Sequence, residues 1–261
     1  MRITTWNINS IRARRARFEA WLADRQPDVL CLQETKATDK AFPADIFETA
    51  GYNVVFHGQK TYNGVAIAAK KPLELADVVK GIPFCEGDTD ARGIAATVGG
   101  VRVVNIYVVN GKEVGHEKWH HKLAWLDALN AWVDENNDPG DDLVVCGDYN
   151  LCPTDDDTWD PDKWHGQVFC TKQERARFKA LLDWGLHDAY RELNPHDWGR
   201  YAHTWWDYRR ASFGRGMGLR IDHHLVSASV LGRAKSVTID REARKGDKPS
   251  DHAPVVLELS E

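Results

Sequence analysis

The sequence predicts an α/β protein built on two packed sheets with helices on the outside. About ten short runs rich in Val and Ile have the pattern of strands, whereas only three or four segments have helical periodicity. Alternating β-α-β units need more helices than this, so a layered body fits the pattern better. The 261 residues contain no Pro/Gly/Ser-rich linker and no internal repeat, and we expect one domain covering residues 1–261.

The predicted strands are short apolar runs, and in many of them apolar residues alternate with polar ones. Each run is a candidate for a buried strand because Val, Ile and aromatic residues suit a pleated, packed surface. The runs cover residues 2–6, 28–33, 52–57, 64–70, 93–98, 101–109, 142–148, 220–227, 234–240 and 253–259.

Two helices are predicted from periodicity. Residues 11–25 follow Asn9 and Ser10, whose side chains suit a helix cap, and Pro27 stops this helix soon after its end. A longer helix is predicted over residues 116–135. Its apolar face consists of Trp119, Leu123, Leu126, Leu129 and Val133.

A third helix is predicted from its terminal residues. Thr171 and Glu174 have the spacing of a capping box, in which each side chain binds the backbone N–H of the other residue. The helix then extends to Leu182. Gly185 lies just past this end, where glycine commonly terminates a helix.

The composition is that of a globular protein, with 43% hydrophobic and 28% charged residues. No run approaches the ~18 apolar residues of a transmembrane helix, and the first ten residues lack the apolar segment of a signal peptide. The five cysteines are scattered without a C-x-x-C pair, which argues against disulfide scaffolds and thiolate zinc sites. We therefore expect a reduced, cytoplasmic protein with no membrane partner.

The net charge of −5 gives no support for a protein that coats nucleic acid, because such proteins are basic overall. It does not exclude an enzyme that acts on DNA, since a basic rim can surround an acidic, metal-binding centre. Arginines are concentrated in residues 12–17 and 209–220. The first stretch fits either phosphate contacts or a solvated helix face, and the second is a glycine-containing basic loop beside aromatic residues.

Polar side chains lie at the ends of several predicted strands, where rigid elements can hold them close together. They are Asn7, Glu34, Tyr107, Asn110, Asp148, Asn150, Asp222, Asp251 and His252. If these strand ends converge, they form a cluster of hard oxygen donors, which suits Mg²⁺ or Mn²⁺ rather than zinc. The reaction class that follows is hydrolysis of a phosphate ester.

Each of these residues also has a simpler structural explanation. The alternatives are a turn after a strand for Asp148 and Asn150, a solvated acid for Glu34, a core aromatic for Tyr107, a salt bridge with Arg220 for Asp222, and a strand cap for Asp251 and His252. One metal-phosphate site would account for all of them together. The adjacent pairs 120–121 and 223–224 do not suit one zinc ion, because neighbouring strand residues point to opposite faces.

Eight motifs occur along the chain in the order seen in one known family. They are "NINSIRAR", "PDVLCLQETK", "YNGVAI", "IYVVNG", "GDYNLCPTD", "TWWDYR", "GLRIDHHL" and "PSDHAPV". The sequence thereby resembles the exonuclease III family of hydrolytic AP endonucleases, within the endonuclease/exonuclease/phosphatase superfamily that includes DNase I. The resemblance implies a four-layered α/β sandwich, in which two packed, mainly antiparallel sheets are flanked by helices.

The resemblance also implies an activity. Family members hydrolyse the phosphodiester on the 5′ side of an abasic site in duplex DNA, and often add 3′-5′ exonuclease and 3′-phosphatase activity. It implies a monomer that uses Mg²⁺, with Mn²⁺ as a substitute, on duplex DNA containing abasic sites or 3′ ends. Rival functions are a non-DNA phosphatase or phosphodiesterase of the same superfamily, and a catalytically silent DNA-binding module.

The family motifs assign roles to individual positions. The metal shell implied by the resemblance contains Asn7, Glu34, Asp148, Asn150, Asp251 and His252. The catalytic set is Tyr107 at the phosphate, Asp148 and Asn150 at the attacking water, and His252 with its partner Asp222 at the phosphate. The DNA contacts are Asn110, Trp205, Arg209 and Arg215, with Trp205 in a pocket for the sugar that lacks a base.

The sequence departs from the family pattern at a few positions. Val109 stands where the family usually has proline, which predicts a less rigid loop around Asn110. His223 and His224 stand where apolar residues are common, so one of them needs a polar partner or solvent. None of these changes falls on a proposed catalytic residue.

Overall fold

The computed structural model describes residues 1–197 and 199–260. Its strands are β1 (Arg2–Asn7), β2 (Val29–Gln33), β3 (Tyr52–His57), β4 (Val65–Lys70), β5 (Ala76–Lys80), β6 (Gly93–Val98), β7 (Val101–Tyr107), β8 (Leu143–Asp148), β9 (Leu186–Asp188), β10 (Trp205–Trp206), β11 (Gly218–Leu219), β12 (Asp222–Ser227), β13 (Ala234–Ile239) and β14 (Val255–Leu259). Its helices are α1 (Arg15–Arg25), α2 (Ala44–Thr49), α3 (Glu117–Asn136), α4 (Pro161–Trp164), α5 (Lys172–Trp184), α6 (Ala189–Leu193) and α7 (Ala228–Leu231). None of the helices in this described part is long and apolar enough to cross a lipid bilayer.

Two six-stranded sheets form the body of the protein. Their strand orders are β13-β14-β1-β2-β4-β3 and β5-β6-β7-β8-β12-β9, and β10 pairs with β11 in a small separate ribbon. Strand pairs β1–β2 and β7–β8 are parallel, while the other pairs within the two sheets are antiparallel. The predicted class of two packed, mainly antiparallel sheets flanked by helices is confirmed.

Three apolar cores separate four layers. The central core joins the inner faces of the two sheets, for example Ile3 and Val29 with Val103 and Val144. A second core lies between the first sheet and helices α1 and α2, and a third between the second sheet and helices α3 and α5. Strands β2 and β8 are buried along their whole length because both of their faces lie against a core.

All ten predicted strands and all three predicted long helices are present, with bounds that differ by a few residues. The predicted capping of α1 by Asn9 and Ser10 is wrong, because α1 begins at Arg15 after an N-cap without a side-chain hydrogen bond. Asn9 and Ser10 have positive φ and form a turn that belongs to the site described below. Short or exposed elements were not predicted, including the edge strand β5, whose five residues are all exposed.

The strand register brings the polar strand ends to one edge of the sandwich. In the parallel pair β1–β2, Asn7 lies opposite Gln33, the residue before Glu34. In the parallel pair β7–β8, Tyr107 lies opposite Asp148, and the antiparallel strand β12 places its first residue, Asp222, opposite Asp148 as well. The carboxyl ends of both parallel pairs therefore meet at the same edge.

Close contact between β7 and β8 depends on Gly147. This residue has φ +145°, and a Cβ there would lie 2.0 Å from the carbonyl oxygen of Ile106. We expect Gly147→Ala to lower the free energy of unfolding by about 3 kcal/mol, measured by urea denaturation, since the backbone of β7 would have to move. Gly140→Ala, where the added methyl meets open space, should change it by less than about 0.5 kcal/mol. Equal effects would contradict this reading.

Candidate active site

Asn7 links the two sheets at this edge. It is the last residue of β1 and is fully buried. Its Nδ2 donates hydrogen bonds to Glu34 Oε1 at 3.0 Å and to Asp148 Oδ2 at 2.9 Å. Its Oδ1 accepts the backbone N–H of Asn9 at 3.0 Å, which sets the orientation of the amide. Asn7 therefore holds two carboxylates, one from each sheet, at a fixed separation.

Glu34 is held from three sides. Besides Asn7, the Tyr107 hydroxyl donates to its Oε1 at 2.9 Å, and the Lys36 ammonium lies 2.7 Å from its Oε2. Burial raises the pKa of Tyr107 well above its usual value, and Glu34 and Asp148 raise it further, so the hydroxyl stays protonated and donates. Glu34 remains partly exposed, with its carboxylate turned toward the site.

A histidine lies between two carboxylates. His252 Nδ1 is 2.9 Å from Asp222 Oδ2, and its Nε2 is 3.7 Å from Asp148 Oδ2. His252 is buried and lies three residues before β14 begins at Val255. The alternative pairing of Asp222 with Arg220 is not formed; Arg220 is fully buried and pairs with Asp157 and Asp188 instead.

The protonation of this trio follows from burial and charge. Burial alone lowers the pKa of His252, but Asp222 and Asp148 raise it to about 10, so the ring is an imidazolium at neutral pH. Burial raises the pKa of Asp148 by more than His252 lowers it, and the net pKa is about 7. Asp148 is thus a buried acid that exchanges its proton close to pH 7.

Two amides lie beside Asp148. Asn150 has φ +49°, and its backbone N–H donates to Asp148 Oδ1 at 2.9 Å. Its side-chain Nδ2 donates to the Val108 carbonyl at 3.0 Å, and its Oδ1 accepts from Asn110 Nδ2 at 3.2 Å. Asn110 itself is exposed, so this pair forms a polar wall that runs from the buried acid to the surface.

Asp251 does not take part in the hydrogen bond between Asn7 and Glu34, and it has its own donors. Its Oδ1 accepts from Asn9 Nδ2 at 2.9 Å and its Oδ2 from Trp205 Nε1 at 3.0 Å. Burial raises the pKa of Asp251, but His252 and these two donors hold it below the usual value. Its predicted metal role stays a prediction.

A cavity of about 310 Å³ lies beside Trp205. Three tryptophans, Trp159, Trp164 and Trp205, line it together with Met217 and with polar or charged residues. The latter are Lys163, Asp207, Arg209, Arg210 and Ser212. Phe169 packs between Trp164 and Trp205, with ring centroids 6.0 and 6.5 Å away. Trp205 is therefore part of a pocket wall that continues into the core.

The predicted DNA-contacting arginines are exposed, and together with the exposed Asn110 they form the surface called the rim of the site. Arg209 and Arg215 are exposed, and Arg209 forms a two-pronged ion pair with Asp207, with distances down to 2.6 Å. The alternative of a solvated face for residues 12–17 holds only in part. Arg14 donates to the Tyr208 hydroxyl at 2.8 Å, and Arg17 donates to the carbonyl of Ala243 at 2.8 Å.

The unusual histidines are buried in the second sheet. His223 lies 3.1 Å from both Arg220 Nη1 and the Leu151 carbonyl, so it has the polar partners that its burial requires. Burial lowers the pKa of His223 to about 4 and that of His224 to about 3, so both rings are neutral. Val109, the other departure, is buried in the core under α3.

Two further residues that shape the site, Lys36 and Thr204, were not predicted from the sequence. Lys36 binds Glu34 and also donates to Asn9 Oδ1 at 2.7 Å, and Thr204 Oγ1 accepts the backbone N–H groups of Ile221 and Asp222 at 3.1 Å. Strained backbone marks the same region, since residues with positive φ cluster there. They are Asn9, Ser10, Glu34, Lys36 and Asn150. Because φ is not visible in a sequence, no local signal could have found this cluster.

The donor chemistry at this edge fits a hard divalent cation. Glu34 and Asp148 present carboxylate oxygens, whereas Asn7 turns its Nδ2 toward them, and the Lys36 ammonium beside Glu34 shows that this place favours positive charge. Asp148, Asp222 and His252 also offer ligand atoms within 4.8 Å of one another. A protonated His252 has no lone pair for a metal, so the Glu34 side is the better candidate.

Comparison with known proteins agrees with this geometry. Residues 4–252 match the Endonuclease/Exonuclease/phosphatase family. Exodeoxyribonuclease III of Haemophilus influenzae is 36% identical, over 99% of this chain and 100% of its own length. These two matches cover nearly the whole chain, including every strand that supplies a residue to the site.

Solved structures give the same result. The 3′-5′ exonuclease NExo from Neisseria meningitidis superposes with a TM-score of 0.94 at 45% identity, covering 100% of both chains. NExo has also been solved as a 3′ phosphatase bound to a product DNA hairpin. An AP endonuclease from Archaeoglobus fulgidus superposes with a TM-score of 0.94 at 36% identity, again over 100% of both chains. The chain therefore belongs to the endonuclease/exonuclease/phosphatase family, and its exodeoxyribonuclease III and AP endonuclease relatives make it a phosphodiester hydrolase.

Proposed function

We propose that this protein is a Mg²⁺-dependent DNA repair nuclease that hydrolyses the phosphodiester 5′ to an abasic site in duplex DNA. We propose 3′-5′ exonuclease and 3′-phosphatase activities at the same site, in line with the names of its relatives. The observation that carries the proposal is the bridge from Asn7 to Glu34 and Asp148, with His252 3.7 Å from Asp148. This arrangement brings a candidate metal-binding carboxylate (Glu34), a proposed general base (Asp148) and a positively charged side chain (His252) into one site.

The proposed reaction is an in-line attack of water on phosphorus, in which the bond to the 3′ oxygen of the preceding nucleotide breaks as the new P–O bond forms. The departing 3′ oxygen takes a proton from solvent, which leaves a 3′ hydroxyl and a 5′ phosphate. Asp148 takes a proton from the water. Its pKa of about 7 is suited to a general base at neutral pH. Asn150 and Asn110 orient the water and the phosphate, and the His252 imidazolium donates to a phosphoryl oxygen on which negative charge develops. Tyr107 stays protonated and contacts the phosphate from the Glu34 side.

Glu34, with Asn7 and Asp148 nearby, would hold the cation. A bound Mg²⁺, or Mn²⁺ in its place, would neutralise charge on the phosphate, as metal ions do in many phosphate-transfer enzymes. Lys36 would have to give up its place beside Glu34 Oε2, since both are positive. Its flexible side chain makes that movement inexpensive.

The proposed substrate is held by the rim and the aromatic cavity. Arg209, Arg215 and Asn110 are exposed and suited to contact backbone phosphates, which predicts binding that weakens with salt. A sugar without a base unstacks easily, and Trp205 would meet it in the adjacent cavity. We propose that a monomer acts on duplex DNA with abasic sites or 3′ ends.

The test uses a short duplex with one abasic site and a fluorescent 5′ label. With Mg²⁺ we expect cleavage on the 5′ side of the site, chelation by EDTA should abolish it, and an undamaged duplex should remain uncut internally. Parallel assays with recessed 3′ ends and 3′-phosphate ends measure the other two activities. Absence of DNA cleavage, with phosphate release from inositol phosphates or phospholipid head groups, would favour the non-DNA phosphatase instead.

Glu34→Ala tests the proposed metal carboxylate. We expect the Mg²⁺ concentration for half-maximal rate to rise by about tenfold or more, because one of the few oxygen ligands is lost. The measurement is the initial rate of DNA cleavage as a function of Mg²⁺ concentration. Glu135→Ala, at an exposed position of α3, should leave the metal titration unchanged. An unchanged titration in Glu34→Ala would remove Glu34 from the metal site.

The pH dependence of kcat follows from the two shifted pKa values. The rate should rise as pH passes upward through about 7, because Asp148 must lose its proton to act as a base. It should fall above about 10, because His252 must keep its proton to donate to phosphate. A bound cation lowers the pKa of Asp148, so the acid limb should lie at or below 7 in saturating Mg²⁺. An acid limb that lies above pH 7 in saturating Mg²⁺ would contradict the assignment of Asp148.

A further inference from the structure

Lys122 is a fully buried lysine close to the site, and none of the roles above uses it. It lies on α3, and its ammonium has three hydrogen-bond acceptors. The carbonyl of Asn150 and the Glu174 carboxylate on α5 each lie 2.5 Å away, and the carbonyl of Asn110 lies 3.4 Å away. Lysine has three N–H donors, so each acceptor accounts for one of them.

Glu174 is held in place by hydrogen bonds that do not involve Lys122. It is the last member of the capping box of α5, and it accepts the backbone N–H groups of Thr171 at 3.0 Å and Phe169 at 3.1 Å. The Thr171 hydroxyl donates to it at 2.6 Å. The carboxylate therefore has no freedom to follow the lysine, and it anchors the ammonium at one point.

The two carbonyls that Lys122 binds belong to Asn110 and Asn150, which form the polar wall of the site. Asn150 adopts φ +49°, an unusual conformation for a residue other than glycine, and its N–H donates to Asp148 Oδ1. A carbonyl held from behind by an ammonium keeps this turn in place. Asn110, whose side chain binds Asn150 Oδ1, is held in the same way.

Stability alone does not explain a buried ion pair here. Burying two charges costs several kcal/mol each, and an apolar pair of similar volume is often as stable or more so. Burial lowers the pKa of Lys122, while Glu174 raises it. The lysine gains most of its distinctive contacts from backbone carbonyls in the site, which points to a role in geometry.

We propose that Lys122 is a positioning residue, which holds the backbone of Asn110 and Asn150 so that the turn 148–150 presents Asp148 correctly to the water. The inference rests on the proposed function of Asp148 and Asn150. It concerns kcat, because a misplaced base slows the chemical step, whereas DNA binding depends on the rim. Lys122 does not touch the substrate, and it acts only through these two residues.

The test compares Lys122→Met/Glu174→Gln with Glu174→Gln alone. Both lack the ion pair. Glutamine keeps the capping box with its oxygen on Thr171, and the bond from the Phe169 N–H is lost equally in both variants. They differ at residue 122, where methionine removes the ammonium and with it the donors to the two carbonyls. We expect the double variant to lose kcat on the abasic duplex by about 10- to 100-fold relative to Glu174→Gln, with KM changed by less than about threefold. Restoring Lys122 thereby rescues the rate.

Arg177→Ala is the matched control for loosened packing. Arg177 joins α5 to α3 through the Leu123 carbonyl at 3.0 Å and Asp127 at 2.7 Å, but it contacts neither Asn110 nor Asn150. It should lower the melting temperature while keeping kcat within about twofold. A kcat in the double variant equal to that of Glu174→Gln would overturn the proposal. So would an equal loss of kcat in Arg177→Ala, or a loss confined to KM.

A second measurement needs no turnover. In ¹⁵N NMR spectra, we expect the backbone and side-chain amide signals of Asn150 to shift or broaden in the double variant relative to Glu174→Gln, and hydrogen exchange at its N–H to accelerate. Signals of β13, far from Lys122, should stay in place. Unchanged Asn150 signals would overturn the proposal even if DNA cleavage itself were never observed, so the two claims fail separately.

Discussion

Asp148→Asn should lower kcat on an abasic-site duplex by about 10³-fold while leaving the dissociation constant for DNA within about threefold. The carboxamide has nearly the same shape as the carboxylate, but it does not accept a proton from water. The proposed DNA contacts, Asn110, Arg209 and Arg215, are exposed and lie outside this change. The loss should therefore appear in the chemical step, measured by single-turnover cleavage and by a separate binding titration without Mg²⁺.

Folding of this variant is checked in the same experiment. Asp148 is a buried carboxylate whose pKa is raised, so its charged form opposes folding above pH 7. Its replacement by a neutral group should cause no loss of thermal stability in that range. Asp142→Asn makes the same chemical change just before the other end of β8, at a partly exposed ion pair with Arg233, and should keep kcat within about twofold. Turnover within tenfold of the parent in Asp148→Asn would defeat its role as base.

His252→Asn should lower kcat by about 10²-fold, because the phosphoryl oxygens lose a charged donor in a buried setting. The ring is fixed by Asp222 at 2.9 Å, so no other described donor takes its exact place without movement of the chain. His187→Asn, at a partly exposed position near Glu192, is the matched control and should leave kcat unchanged. The measurement is kcat at pH 8 with saturating DNA.

Asp222→Asn separates charge from ring position. Burial lowers the pKa of His252, and Asp222 is the main group that raises it. Without that carboxylate, His252 should lose its proton at lower pH, so the alkaline limb of the kcat profile should move down from about 10 toward neutral pH. An alkaline limb that stays in place would mean that another group is responsible for it.

Much of the fold was accessible from local patterns. Strands β2 and β8 are short apolar runs, and α3 and α5 have an apolar face or a capping box that needs no tertiary information. The edge strand β5 escaped detection because all of its residues are exposed, and it has little apolar pattern to see. Helix α1 was given the wrong caps, because Asn9 binds Asp251 across 242 positions instead of capping the next turn.

The site shows the same division. The motifs identify which residue types lie at strand ends. The family resemblance implied that Glu34, Asp148 and His252 converge, and the structure brings them together. The resemblance also implied that Asp222 partners His252, but no local pattern showed that Arg220 turns to Asp157 and Asp188 instead of Asp222. Neighbours in sequence compete for partners, and the strand register decides between them.

The sequence by itself determined the layered α/β class, the long helices and the set of polar residues at strand ends, because these depend on periodicity and on short-range chemistry. Tertiary structure alone decided the Asn7 bridge, the shifted pKa values of Asp148 and His252, and the burial of Lys122 between two site carbonyls and Glu174. Those features depend on burial and on contacts between segments distant in the chain. Such contacts exist only after the two sheets have packed, and no local pattern records them.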